Sequence, residues 1–300
     1  MKKKHGAISS VAFLNFMLVL MLTGCNDDVF VARPDFGSHT LRVGETINVK
    51  LPQNLDMGDV WLYVSCGDDF VLYEGNPNGF SSKLIGIHYS LDAGGTVANV
   101  SVDFNYFPEP VDFRIGVFGW DDKMDIKVLP ESTQKYTPGK IEYNLMRWTY
   151  DTEIRQYQGG VRENNSSEPV EIEISPVIPY KMCACFRPED DGAFILFAEK
   201  DFLLPALAVD SNGFPVETGE KIPFSSYYTS IPGYQLECDE PYRYTLAPGQ
   251  KVSCLVSVEN RRYYLDYILE AVNADGVTLN LPGKLEIVVP QRYIYEVKPR

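Results

Sequence analysis

Histidine is scarce in this 300-residue chain, with three residues, His5, His39 and His88. A Ser-His-Asp or Cys-His centre would have to use one of them, and their contexts are unrelated. There is no G-x-S-x-G, H-E-x-x-H, P-loop or G-x-G-x-x-G pattern. His39 and His88 therefore read as surface or locally bonded residues, and no catalytic residue is assigned. Positive charge is also short, with 27 Lys and Arg against 41 Asp and Glu and a net charge of −14. Such a balance argues against a nucleic-acid partner and against electrostatic docking to anionic lipid. Long apolar runs are confined to residues 11–22, broken by Asn15. That is too short for a permanent bilayer helix, which needs roughly twenty residues. Cysteine is sparse, at six. A single Cys-x-Cys, Cys183 and Cys185, lacks the second pair of a zinc signature. Neither a metal nor a cofactor is expected.

The N-terminus is more informative. Lys2, Lys3 and Lys4 precede the apolar run, and Leu22-Thr23-Gly24-Cys25 follows it. A basic start, a short apolar stretch and small residues form the layout of an export signal. The last four residues resemble the bacterial lipobox, in which the cysteine is lipidated and becomes the first residue after cleavage. The resemblance implies a lipid anchor at Cys25, with residues 1–24 removed and several acyl chains holding the protein at a membrane. Asn26-Asp27-Asp28 resembles the surface-export signal of Bacteroidota lipoproteins. It implies an outer-membrane location, on the cell surface or the periplasmic face. Without residues 1–24, 24 basic residues remain against 41 acidic, a net charge of −17. Five cysteines also remain, an odd number, which leaves at least one thiol free or bonded to another chain. Cys183 with Cys185 and Cys238 with Cys254 are both open as pairs; most of the five read as buried small hydrophobes.

Beyond a tether at 25–40 the pattern becomes β throughout. Ile47, Val49 and Leu51 alternate with polar residues, as do Ala98, Val100, Val102, Phe104 and Tyr106, and Val111, Phe113, Ile115 and Val117. Short strands between Gly, Asp, Asn and Pro clusters predict an antiparallel sandwich over 41–130. Residues 131–137 are polar, with prolines at 130 and 138, and suit a linker. Alternation resumes over 138–300, as in Val252, Cys254, Val256 and Val258. The expected architecture is all-β, with two immunoglobulin-like sandwich domains. Residues 263–272 satisfy both helical and strand spacing, and the surroundings favour strand. Residues 187–235, rich in Pro, Gly and Ser, are expected to be an elaborated loop region.

Acid pairs such as Asp68-Asp69 and the turn Asp210-Ser211-Asn212-Gly213 read as turns rather than calcium loops or paired catalytic acids. Aromatics stand out, with 19 tyrosines among 13% aromatic residues. Trp120 precedes Asp121 and Asp122 at a strand end. Trp148 and Tyr150 precede a polar stretch. Rigid amphipathic rings beside carboxylates or amides suit a sugar ring or a protein surface. These five residues are the candidate ligand contacts. The function expected is non-catalytic binding of a glycan or a surface protein by a membrane-anchored lipoprotein. The alternative is a structural subunit of a surface complex or fimbria-like polymer, joined by strand addition at a sheet edge. A glycan-active hydrolase ranks below both.

Overall fold

The computed structural model describes residues 37–51, 55–66, 70–75, 80–117, 123–197, 202–238 and 240–300. Cys25 and the trio Trp120, Asp121 and Asp122 lie outside the described residues. Within them the fold is all-β, apart from a 3-10 turn at Met57–Asp59 and one helical turn, α1 (Ala193–Leu196). No helix among the described residues is long and apolar enough to cross a membrane. The chain forms two compact units. One holds the described residues to Phe80 with Ile87–Asp103 and Val111–Leu129; the other holds Ser81–Gly86, Phe104–Pro110 and Pro130–Arg300.

The first eight strands are β1 (Ser38–Leu41), β2 (Thr46–Lys50), β3 (Val60–Cys66), β4 (Phe70–Gly75), β5 (Ile85–Leu91), β6 (Val97–Asn105), β7 (Val111–Val117) and β8 (Lys123–Val128). They form a five-stranded sheet in the order β1-β8-β7-β3-β4 and a three-stranded sheet β2-β6-β5. The pairs β2-β6, β3-β4, β3-β7 and β7-β8 are antiparallel, while β1 and β8 run parallel. The alternation read from sequence is the burial pattern: Val60, Leu62 and Val64 of β3, and Ala98, Val100 and Val102 of β6, are buried. Gly116 of β7 stands opposite Trp61. A Cβ there would fall 2.2 Å from the indole, so the close approach requires glycine.

The second unit is built on far longer strands. β9 (Thr137–Glu163) has 27 residues. After β10 (Val170–Ile174) and β11 (Tyr180–Pro188) come β12 (Leu203–Val209), β13 (Pro215–Pro223), β14 (Thr229–Leu236) and β15 (Tyr242–Leu246). The hairpin β16 (Lys251–Val272) and β17 (Thr278–Pro299) closes the chain, each strand having 22 residues. The main sheet has the order β14-β11-β17-β16-β9, while β10-β15 and β12-β13 form separate two-stranded sheets. Residues 263–272 are strand, inside β16.

The loop expected over 187–235 is corrected: the described part holds α1, β12, β13 and β14. Its prolines are accommodated at strand ends, on a two-stranded sheet and, for Pro232, within the edge strand β14 of the main sheet. Pro215 and Pro223 terminate β13, and Pro205 lies beside a register shift of β12. Those positions have edge backbone that needs no donor.

One sheet serves two cores. In β16 the even residues Val252, Cys254, Val256 and Val258 are buried, and then the odd residues Tyr263, Leu265, Tyr267 and Leu269. The strand itself runs on without interruption, so the two sets lie on opposite faces. Over the Val256 face, Ile174 of β10 and Leu246 of β15 join Val252, Cys254 and Val256 in one buried cluster. Over the Tyr263 face lies the β12-β13 pair. Phe186, opposite Leu285 on that face, packs 5.2 Å from Phe224, and the Tyr143 hydroxyl donates to the Pro205 carbonyl.

Candidate binding surface

Trp148 and Tyr150 occupy β9, two residues apart, and so share a face. Tyr150 stands opposite Tyr263, and Trp148 opposite Leu265. The Trp148 and Tyr150 ring centres are 6.2 Å apart. The Tyr263 ring lies 5.4 Å from Trp148 and 5.3 Å from Tyr150. Buried Tyr263 thus supports two outer rings from below. Tyr150 is 50% exposed, which leaves a ring face open to solvent.

Two further side chains complete the surface. Phe214, 56% exposed, meets Trp148 edge-to-face at 6.1 Å. The β12-β13 turn places it there. Asp210 Oδ1 accepts the backbone N–H groups of Asn212 and Phe214, and Gly213 adopts a φ of +86°. These backbone bonds, led by that of Phe214, hold the Asp210 carboxyl below its usual range. Arg261 lies with its Cζ 5.3 Å from the centre of the Tyr150 ring, a cation–π contact. The platform therefore presents flat apolar rings, one guanidinium and a carboxylate-bearing turn.

On the opposite face a polar cluster holds the sheet where burial changes sides. Glu286, its side chain only 7% exposed, lies 3.0 Å from Arg262 Nε and 3.4 Å from Arg187 Nε. The Tyr228 hydroxyl donates to it. Arg262 also reaches Glu153 at 2.6 Å. The Cys185 thiol is 3.7 Å from Glu286. Burial, reinforced by Glu286, pushes that thiol up to about 11 from 9.0, and burial likewise pushes Cys183 up to about 11. Low-reactivity thiols of this kind suit a structural setting. Cys183, Cys185, Cys238 and Cys254 carry free thiols. No three His, Cys, Asp or Glu side chains among the described residues are placed to hold a metal ion.

Of the five ring and acid candidates, the structure brings Trp148 and Tyr150 together, while Trp120, Asp121 and Asp122 lie outside the described residues. Phe214 and Arg261 were missed from sequence. The Asp-Ser-Asn-Gly turn preceding Phe214 was the available signal, since such a turn fixes where the next side chain points.

No protein-family model matches the chain, and no curated protein matches it. Solved structures to which the chain shows similarity include the parasporin-2 toxin of Bacillus thuringiensis that recognizes cancer cells. It is 12% identical, with 55% of this chain and 74% of that chain covered, at a TM-score of 0.28. Lamprey immune protein is 9% identical over 85% of this chain and 98% of its own, at 0.30. An aerolysin-like protein of Bombina maxima is 9% identical over 54% and 97%, at 0.25. Scores this low do not establish a shared fold, and the activities of those proteins do not transfer to this one.

Proposed function

We propose that this protein is an outer-membrane lipoprotein, anchored through Cys25, whose role is non-catalytic binding of a glycan or a surface protein. The observation that carries the reading is the platform of half-buried Trp148 and exposed Tyr150 and Phe214 beside buried Tyr263, with Arg261 on the Tyr150 ring. Tilted and edge-to-face rings with a guanidinium over one of them suit both a pyranose face and a protein hot spot. In this reading the first unit is an immunoglobulin-like sandwich, and Trp120, Asp121 and Asp122 form a second contact region upon it. The second unit carries the sandwich principle on longer strands.

The test is a glycan array probed with the full chain in a sugar-free detergent, wild type beside Trp148→Ala and Tyr150→Ala. A selective signal that falls at least about tenfold in either variant, equivalent to about 1.4 kcal/mol, supports glycan binding. Silence on the array with capture of a surface protein that both variants lose supports the protein ligand. Binding untouched by both variants sinks the platform. The anchor is tested by Cys25→Ser, which is expected to abolish lipid labelling and release the chain from the membrane fraction.

A second reading, assembly by strand addition, is favoured by one observation. β9 is the outermost strand of its sheet. Between its register shifts near Trp148 and Gln156 the chain carries no proline, although the charges of Asp151, Glu153 and Arg155 guard the edge in part. Placing a proline at Thr152 is expected to disperse any oligomer seen by light scattering. An oligomer that survives it is not joined at this edge.

A further inference from the structure

Beyond the aromatic platform, the Val256 face of the second unit contains a cavity of about 410 Å³, within the size range of small-ligand pockets. Its origin lies in the sequence of β9. After the shift at Gln156, residues Gln158, Gly160 and Arg162 stand opposite Val256, Cys254 and Val252 and share their face. The β10-β15 pair covers the β16 side of that face. Over β9 the position between Gln158 and Arg162 is a glycine, which leaves a groove between the Gly160 backbone and residues 173–177.

The two ends of the groove differ. At one, the Gln158 side-chain amide donates to the Ser175 carbonyl at 2.9 Å and accepts from the Val177 N–H at 2.9 Å. It satisfies that backbone as a neighbouring strand would, and the end is closed. At the other lies the Arg162 guanidinium. Among the described residues no carboxylate forms an ion pair with it; its one hydrogen bond, at 3.4 Å, goes to the adjacent Val161 carbonyl. It lines the cavity, with its Nη1 3.8 Å from where a Cβ at Gly160 would stand. Glu173 at the rim is engaged by Arg243 at 3.3 Å. Ile174, Val177 and Val256 supply apolar wall.

We propose that this groove binds a small monocarboxylate with an apolar body. The carboxylate takes the guanidinium of Arg162, which carries no ion pair among the described residues and matches a carboxylate bidentately, and the body lies over Gly160 against Ile174, Val177 and Val256. A single guanidinium with Glu173 nearby favours a monoanion over a phosphate dianion.

The test uses the full chain in deuterated detergent and hexanoate as the probe, read by saturation-transfer NMR. Gly160→Val fills the groove. A Cβ at Gly160 meets only Arg162 Nη1, at 3.8 Å, so the variant is expected to fold. Arg162→Met keeps the stem and removes the charge. Hexanoate is expected to give a signal at least threefold stronger on wild type than on either variant, the micelle contribution being common to all three. Hexylamine is expected to show no such difference. A hexanoate signal equal in wild type and Gly160→Val overturns the site. Equal discrimination for hexylamine, or a signal unchanged by Arg162→Met, overturns the carboxylate preference and with it the proposal.

Discussion

Asn260 and Tyr263 lie three residues apart in one continuous strand, point to opposite faces of its sheet, and are 0% and 1% exposed. A strand covered on one side throughout buries every second residue. Here the buried phase changes between them, because β10-β15 covers one face and β12-β13 the other. The Asn260 side-chain amide is buried on the face of Val256 and has no hydrogen-bond partner on either atom.

That contrast predicts opposite outcomes. Tyr263→Ala removes a ring that supports both Trp148 and Tyr150 and is expected to cost about 3–5 kcal/mol, the range for large-to-small core changes of aromatic residues. Asn260→Val replaces an unpartnered buried amide by a β-branched residue suited to a strand. It is expected to stabilise by about 1–2 kcal/mol, since an unmatched polar group in the interior carries a desolvation cost. Denaturant unfolding of the two variants checks both signs.

Arg262 is the tie between Glu153 and buried Glu286. Arg262→Met is expected to destabilise by about 3 kcal/mol, because Glu286 keeps its charge in the interior with one cation fewer. Adding Glu286→Gln is expected to recover a large part of that loss, and a double-mutant cycle reads the coupling. Equal effects in the presence and absence of Glu286 would show that the two side chains do not cooperate.

Much of this arrangement is legible in the sequence, and the rest fails for a physical reason. The even alternation ending at Val258 and the odd alternation beginning at Tyr263 are both plain in the residue order. Read alone they imply two elements with a break at Glu259-Asn260-Arg261-Arg262. The chain stays extended because neighbouring strands serve the three charged residues: Glu259 reaches Arg292, Arg261 reaches Tyr150, and Arg262 reaches Glu153 and Glu286. No local pattern reports such cross-strand partners. The same limit explains the platform. Trp148 and Tyr150 are visible as a spaced pair on one strand, whereas Phe214 and Arg261 arrive from other strands. Prolines near 205, 215 and 223 imply loop when read locally and are accommodated once a two-stranded sheet is available.

Cys183 and Cys185 set an alkaline limit. Both thiols are raised by burial from 9.0 to about 11. A group whose folded pKa lies above its unfolded value contributes stability that is fully present below the unfolded value. That stability is lost as pH rises through the folded one. The window is therefore pH 9 to 11. For Cys185, the more buried of the two, the loss is expected to be on the order of 2 kcal/mol. Unfolding midpoints measured across that window should fall in wild type and fall less steeply in Cys183→Ala/Cys185→Ala, where Cys254 and the buried tyrosines still contribute. Thiolate absorbance at pH 9 from either cysteine in the folded protein would contradict the assignment.

The acid limit of the platform is set by Asp210, whose carboxylate holds the turn that aims Phe214 at Trp148. Its folded pKa is depressed below 3.8 by the backbone N–H groups it accepts. The order it gives the turn is therefore present above that value and lost as pH falls through the lower, folded one. Asp210→Ala removes the same bonds at neutral pH. Gly213→Ala strains the turn differently, by about 1–2 kcal/mol, because its left-handed backbone disfavours a Cβ. Both variants are expected to release Phe214 from its edge-to-face contact while the β9-β16 pairing beneath Trp148 persists. The measurement is the ring-current shift of the Trp148 indole protons, which should move toward free-tryptophan values in both variants and, in wild type, below pH 3.8. Binding through the platform should weaken in parallel. A shift that moves while binding holds would confine recognition to Trp148, Tyr150 and Arg261.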